Sequence, residues 1–388
     1  APAAALAVAL LAAGCAAPIQ VRRAHVRDVY ADLDAHTLNT GRLSDDTLVA
    51  LARAGLTDVY AESPRTALAR LHALAEQGDR KARLFALSEC AFRTAEATGD
   101  RDLYLASATY AYLFLFGGDD VAGPFRRRFR RACDLYGTAL ALAFTDGDGA
   151  FEPRGGRFAL PGGSIEVEEP RLPLRFGGFE YGELTPAITL DIEGFRARAV
   201  RSGIGAPLVA RRRTGSLSRE RRSHLAPRNA LAVTALLLAD GGLEAATAGT
   251  LRARWSFHEP DGVREVVIHG QEVPVEFDVT APIAWELADT RPWENELPAV
   301  MDSDAAGVRN ALYLTEPYQP GRIPVLFVHG TASSPARWAE ILNELHDDGR
   351  IAGSCQFWIY QYGSGSPVLA SAASLRASLA KVLRDLDP

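Results

Sequence analysis

Residues 324–345 read PVLFVHGTASSPARWAEILNEL, and residues 356–368 read QFWIYQYGSGSPV. The apolar runs at 325–328 and 356–360 predict two short strands that are buried on both faces of a parallel sheet. Ser334-Pro335 opens a predicted helix between them, and a second helix follows the second strand. Strand, helix, strand and helix within about sixty residues form a βαβα unit, which requires a parallel sheet covered by helices.

This pattern resembles the α/β-hydrolase superfamily, and within it a lipase- or esterase-type group of bacterial secreted hydrolases. A buried strand that ends in His-Gly, followed by a loop and a helix, is similar to the third strand of that fold and its oxyanion loop. The resemblance covers about residues 297–388 and implies that they form the first βαβα part of a doubly wound sheet. Nothing in the preceding part of the chain has a counterpart in the minimal fold.

The resemblance implies roles for three residues at the end of the first strand. Acyl transfer to a serine creates an oxyanion, which needs preorganised backbone N–H donors. In the family, one donor is the amide of the residue after the His-Gly pair, which is Thr331 here. Gly330 is expected to allow a tight turn. His329 is expected to shape the loop by hydrogen bonding and not to act as the catalytic base.

The family's nucleophile lies in a G-x-S-x-G elbow, and the sequence contains no such string. The run Gly363-Ser364-Gly365-Ser366 has the wrong spacing and follows the wrong strand. Because the fold places its serine, acid and histidine after the next strand, we expect all three beyond Pro388. On this interpretation the hydrolase part is incomplete, and the 388-residue chain is inactive by itself.

The beginning of the sequence indicates a compartment. Residues 1–13 are an uninterrupted apolar run, APAAALAVALLAA, and Gly14-Cys15 follows it. The run is too short to span a bilayer but has the length of a signal-peptide core. A small residue before a cysteine at this place resembles a bacterial lipobox, in which the cysteine carries lipid. The resemblance implies a signal peptide over residues 1–15 and an envelope protein anchored through Cys15, on the outer-membrane or periplasmic side. An alanine-rich buried helix is the alternative.

Residues 20–145 predict a stack of antiparallel helices with a repeat-like character. The string Gly78-Asp79-Arg80 recurs as Gly99-Asp100-Arg101. Each copy supplies a left-handed glycine that ends one helix and an aspartate that caps the next.

Residues 146–295 predict a second domain, rich in antiparallel β-structure. Short alternating runs, separated by Gly, Pro and Asp, lie at 188–192, 231–238, 251–255, 266–268 and 273–279. With residues 296–388 as the start of the hydrolase domain, the sequence predicts a multidomain protein.

Composition excludes several classes of protein. The chain has 42 basic and 48 acidic residues and a formal net charge of −6, whereas nucleic-acid-binding proteins usually carry the opposite balance. We therefore expect no nucleic-acid partner. Cys90, Cys133 and Cys355 have no spacing typical of a metal site, so no metal or cofactor is expected.

These features together predict a cell-envelope serine hydrolase that acts on a carboxylic ester, either a small molecule or a lipid. Two other functions stay open. One is a non-catalytic envelope lipoprotein whose helical and β-rich domains bind a protein partner. The other is an acyltransferase built on the same fold.

The first testable prediction concerns the anchor. Replacing Cys15 with serine removes the thiol that would carry the lipid, so Cys15→Ser should release the protein from the membranes of the bacterium that produces it. Membrane fractionation and intact-mass measurement check this. If both proteins fractionate with membranes and neither mass includes lipid, the lipobox interpretation is wrong.

Overall fold

The computed structural model describes residues 21–117, 127–213, 224–226, 229–260, 264–288, 310–330, 335–363 and 366–386. Cys15 and Thr331 lie outside these ranges. Within them the chain forms 13 α-helices and four β-sheets, and helices alone occupy the part before residue 144. In none of these ranges is a helix both long enough and apolar enough to cross a membrane.

The helices are α1 Val26–Leu33, α2 Thr37–Thr40, α3 Asp45–Arg53, α4 Thr57–Glu62, α5 Pro64–Leu74, α6 Arg80–Thr98, α7 Arg101–Phe116, α8 Arg127–Ala143, α9 Leu243–Thr247, α10 Thr280–Ala288, α11 Ala339–Asp347, α12 Gly349–Ser354 and α13 Val368–Leu386. Short 3₁₀ helices span Ala187–Thr189 and Pro335–Trp338.

The strands are β1 Gly156–Leu160, β2 Gly163–Val167, β3 Leu174–Phe176, β4 Phe179–Pro186, β5 Val200–Arg201, β6 Ala206–Arg212, β7 Ala230–Asp240, β8 Leu251–His258, β9 Glu265–Ile268, β10 Gln271–Pro274, β11 Phe277–Asp278, β12 Ala311–Leu314, β13 Ile323–Val328 and β14 Cys355–Gln361.

The described residues from 21 to 45 form one compact unit, and the described residues from 46 onward form another. In the first unit, the side chain of His25 caps α1 by accepting a hydrogen bond from the Arg27 amide. Helix α2 ends at Gly41, whose φ of 67° is left-handed.

The second unit begins with the helical stack, α3 to α8. Gly78 and Gly99 have left-handed φ values of 66° and 70°. Asp79 and Asp100 accept hydrogen bonds from the first-turn amides of α6 and α7. Both aspartates therefore cap a helix as predicted, and Gly99 ends α6 as predicted. Gly78 does not end a helix, because α5 already ends at Leu74 with Ala75 as its C-cap.

A seven-stranded sheet follows, in the order β1-β2-β8-β7-β6-β4-β3. Its strands pair antiparallel except β2 with β8, which run parallel. The sequence analysis expected only antiparallel pairing, and this pair departs from it. Parallel neighbours need a long connection, and the chain between β2 and β8 supplies one because it contains β3 to β7.

The alternating run at 188–192 is not a strand, which corrects the sequence analysis. Its first residues form the 3₁₀ helix Ala187–Thr189, and no strand pairs with the run. Leu190 and Ile192 instead pack on a cluster that includes Val209 of β6. Alternation alone did not distinguish a paired strand from an irregular segment that packs on a sheet.

Helix α8 lies directly against the seven-stranded sheet. A Cβ on Gly137 would come within 2.1 Å of the carbonyl oxygen of Gly205, so only glycine permits this approach. The pairing of β6 with β7 ends at Ala235. Two residues further along β7, the hydroxyl of Tyr136 accepts from the Leu237 N–H at 2.7 Å and donates to the Leu237 carbonyl at 3.0 Å. Tyr136 thus satisfies the backbone of β7 beyond the end of β6.

The last part of the chain forms a three-stranded sheet in the order β12-β14-β13. Strands β13 and β14 are parallel, and β12 runs antiparallel to β14. Leu342 of α11 packs with Phe327 and Phe357 on one face. On the other face Tyr360 donates to the backbone of Ser371 in α13 at 3.1 Å. The predicted βαβα unit with helices on both faces is therefore present. The sequence analysis did not predict strand β12.

Strand β13 differs from its expected environment. Val328 is 41% exposed, and Val325 and Leu326 are only half-buried, although the run 325–328 was expected to be buried on both faces. The reason is position: within the described ranges β13 pairs only with β14 and forms the edge of the sheet. Strand β14 lies between two neighbours, and its Phe357, Trp358 and Tyr360 are buried.

A partly buried chain of hydrogen bonds joins the helical stack to α9. The hydroxyl of Thr247 donates to the Leu243 carbonyl at 3.0 Å, so it accepts from Nε2 of His72 at 2.9 Å. Nδ1 of His72 then accepts from the Tyr110 hydroxyl at 2.7 Å. A Cβ on Gly162 would lie 2.1 Å from the His72 ring, which leaves no room for a side chain there. Burial lowers the pKa of His72 below its ordinary value of 6.5.

The second prediction concerns the pH dependence of stability. Because folding disfavours protonated His72, the unfolded chain binds more protons below pH 6.5, and the free energy of unfolding should fall as the pH drops below that value. His72→Gln should make this dependence shallower, by at most about 1.4 kcal/mol per pH unit. Urea unfolding between pH 8 and pH 5 measures it.

Tyr110→Phe is the matched control for this prediction. It removes the donor to Nδ1 and should cost about 1 kcal/mol at pH 8, yet it keeps a titrating histidine at the same buried position, so most of the wild-type slope should remain. Burial also lowers the pKa of His258, which contributes equally in all three proteins. Equal slopes for wild type and His72→Gln would contradict the assignment.

Candidate functional site

The His-Gly pair lies at the carboxyl end of β13. His329 and Gly330 follow directly after Val328, and Tyr362 follows the last residue of the parallel neighbour β14. Because parallel strands end at the same edge of a sheet, these residues meet there, which is the edge where ligands bind in open α/β sheets.

Tyr362 holds His329 by its backbone and by its side chain. The Tyr362 N–H donates to Nε2 of His329 at 3.3 Å, and the Tyr362 hydroxyl donates to the His329 carbonyl at 2.8 Å. The two rings stack with centroids 4.3 Å apart. Since Nε2 accepts, Nδ1 carries the proton and donates to the Gly330 carbonyl at 3.1 Å. Both ring nitrogens are engaged, and the buried imidazole maintains the loop conformation.

Gly330 has a backbone that other residues also adopt. Its φ is not among the left-handed values of the chain, and no described atom lies within 4 Å of the position that a Cβ would take. The expected tight turn therefore does not explain why a glycine occupies this position. Thr331, the expected oxyanion donor, and Ser364 and Gly365 lie outside the described residues.

The structure also contains a cavity of about 290 Å³ that the sequence analysis did not predict. Most of its wall is apolar and comes from three elements, with Ala232 in β7, Ile283 and Leu287 in α10, and Leu342 in α11. Ile359 of β14 closes one side. His329 and Gly330 are not among the lining residues, so the cavity is separate from the His-Gly edge.

Glu286 of α10 lines the cavity and has a strongly altered acidity. Its Oε1 accepts the backbone N–H of Ala230, the first residue of β7, at 2.8 Å. Burial raises the pKa of Glu286 to about 8, against the lowering effect of this bond, of the Asn229 side chain and of Arg212. The cavity therefore favours the protonated form of Glu286 more than water does. A perturbed acid in a concave site is typical of functional residues.

Asn229 links Glu286 to two other parts of the fold. Its Oδ1 accepts from the Tyr181 hydroxyl at 2.7 Å, and its Nδ2 donates to the Thr315 carbonyl at 2.6 Å. Burial raises the pKa of Tyr181, Arg212 lowers it, and the charges of Glu286, Glu259 and Glu316 raise it further. These three glutamates all line the cavity. They come from distant parts of the chain, and no spacing in the sequence relates them.

A polar cluster fixes the α11 wall of the cavity against α10. The Thr280 hydroxyl at the start of α10 donates to Oδ1 of Asn343 in α11 at 2.6 Å. Nδ2 of Asn343 donates to the Ala197 carbonyl at 3.0 Å. All three residues are joined through buried or half-buried groups, so α10 and α11 are held at one separation.

Two further histidines have polar partners, at different places. His224 Nε2 lies 2.8 Å from an Asp385 carboxylate oxygen, which attaches α13 to the chain before β7. His258 Nε2 lies 2.8 Å from the Ser256 hydroxyl on β8. Because the acid and the serine contact different histidines, these residues do not make a Ser-His-Asp triad.

The part of the chain that the structure describes contains no evident metal site. There, no three His, Cys, Asp or Glu side chains are grouped to hold a metal ion. Cys90, Cys133 and Cys355 are free thiols, and the first two are buried. Comparisons with protein-family models, curated proteins and solved structures found no match to this chain.

The third prediction tests the clamp on His329. His329→Ala leaves the Tyr362 N–H without its acceptor and removes the stacked ring, so it should lower the free energy of unfolding by about 1–3 kcal/mol. Tyr362→Phe keeps the stacked ring and the backbone bond, and should cost only about 1 kcal/mol. Guanidinium unfolding measures both. Losses of equal size would contradict the arrangement.

Proposed function

We propose that residues 310–386 carry the oxyanion loop of a serine hydrolase that cleaves carboxylic esters. The observation that carries the proposal is the clamped His329 at the shared carboxyl edge of β13 and β14. The imidazole is stacked on Tyr362 and hydrogen-bonded at both nitrogens, so it holds the backbone at the start of the loop in a fixed position. Rigidity matters because an oxyanion donor is effective only when it is positioned before charge develops.

The architecture around this edge supports the proposal. A parallel pair covered by helices on both faces is typical of doubly wound folds, which often carry an antiparallel strand as well. The order β12-β14-β13 has this form.

In the proposed reaction, a serine attacks the carbonyl carbon of the ester, and the carbonyl oxygen becomes an oxyanion. The backbone N–H of Thr331 donates one hydrogen bond to that oxygen. The alcohol leaves, and water then hydrolyses the acyl-serine ester. His329 takes no proton in these steps, since its Nε2 accepts from Tyr362 and its Nδ1 donates to Gly330.

The substrate class and the location belong to the same proposal. A lipid anchor at Cys15 would hold the enzyme at an envelope membrane, where lipid esters are the most concentrated carboxylic esters. We therefore assign it a lipid ester or a small ester as substrate.

The fourth prediction tests the oxyanion donor. In the protein as its gene encodes it, p-nitrophenyl butyrate hydrolysis should be abolished by a serine-reactive phosphonate. Thr331→Pro deletes the N–H donor and should lower kcat about a hundredfold or more. Steady-state kinetics at saturating ester measure the change.

Thr331→Ala is the matched control, because alanine keeps the N–H while it removes the side chain. It should retain most of the activity, and circular dichroism should show that both variants are folded. Equal activity of the alanine and proline variants would overturn the role of Thr331. Hydrolysis that no serine reagent inhibits would overturn the serine mechanism.

A further inference from the structure

The cavity beside Glu286 has the features of a ligand site and has no part in the proposed hydrolysis. Its volume of about 290 Å³ is at the small end of the range for small-molecule pockets, about 300–1,000 Å³. The wall is mainly aliphatic, from β7, α10 and α11, and favours an apolar body. Polar groups form the smaller part of the wall.

Acidic groups outnumber basic ones around that polar part. Glu286, Glu259 and Glu316 line the cavity, whereas Arg201 is the one guanidinium among the described lining residues. His346 of α11 also lines it, and Arg201 donates to the His346 carbonyl.

Strands β4 and β6 contribute further charged and titratable groups near Glu286. Arg212 of β6 lowers the pKa of Glu286, and Tyr181 of β4 lies in the same cluster. Arg211 of β6 lies over the ring of Trp285, 5.1 Å from its centroid, and pairs with Glu183.

The state of Glu286 follows from its surroundings. An ionised carboxylate is costly in a mainly apolar wall, and burial raises the pKa of Glu286 to about 8. A cation bound beside Glu286 would favour the ionised form, because a nearby opposite charge stabilises a carboxylate.

We propose that this cavity binds a small molecule with an apolar body and a single ammonium group, and that the Glu286 carboxylate is its counter-ion. Binding would change the protonation state of Glu286. The protonated amine enters, the Glu286 carboxyl releases its proton to the solvent, and the ammonium and carboxylate form an ion pair. The proposal does not depend on ester hydrolysis, since it concerns a different part of the fold.

Isothermal titration calorimetry with three probes of equal chain length tests the proposal. At pH 7, octylamine should bind at least tenfold more tightly than octanol, and octanoate should not bind. Titrations in phosphate and in Tris, which differ in ionisation enthalpy, should show release of up to one proton for each octylamine bound.

Variants connect the effect to Glu286. Glu286→Gln keeps a side-chain oxygen for the Ala230 N–H but has no charge, so it should reduce octylamine affinity at least tenfold and abolish proton release. Glu344→Gln, at an exposed position of α11, should behave like wild type. Ile283→Phe narrows the cavity and leaves Glu286 in place, so it should weaken octylamine binding even if Glu286→Gln fails to fold.

Several results would overturn the proposal. Octanol binding as tight as octylamine binding, without proton release, would show an apolar cavity with no preference for a cation. Tighter binding of octanoate would show that Arg201 governs the site. No binding of any probe would show that the cavity is not a ligand site. None of these results bears on Thr331 or on ester hydrolysis.

Discussion

Buried backbone groups of strand β7 need hydrogen-bond partners that its neighbouring strands do not supply, and much of the structure depends on how these groups are satisfied. At Leu237, beyond the end of β6, the partner is the Tyr136 hydroxyl. At Ala230, the first residue of the strand, it is the Glu286 carboxyl. The first contact fixes α8 on the sheet, and the second fixes α10. An unsatisfied buried N–H costs about 1–3 kcal/mol, so neither contact is easily replaced.

The second contact has a chemical consequence as well as a structural one. Holding Glu286 against Ala230 places a carboxyl in a mainly apolar wall, where ionisation is costly. The same residue that completes the backbone of β7 thus becomes a weak acid with a pKa of about 8 beside a cavity. The cluster of Thr280, Asn343 and Ala197 keeps the opposite wall in place. The cavity is therefore a product of hydrogen bonding among separate elements.

The His-Gly edge and the cavity lie in different parts of the fold and suit different chemistry. At the edge, His329 has both nitrogens engaged and contributes position. In the cavity, the carboxyl of Glu286 can release its proton and then carries a negative charge. A catalytic oxyanion loop needs the first property, and recognition of an ammonium group needs the second.

The sequence by itself determined the local elements. Apolar runs predicted β13 and β14, and the repeated Gly-Asp-Arg strings predicted two helix caps and the helix end at Gly99, because these signals depend on residues close together in the chain. The sequence also pointed to His329. Only the tertiary structure decided that β13 is an exposed edge, that β2 and β8 are parallel, and that the run at 188–192 has no strand partner. It alone brought Glu286, Asn229 and Tyr181 together, because burial and pKa depend on neighbours far apart in sequence.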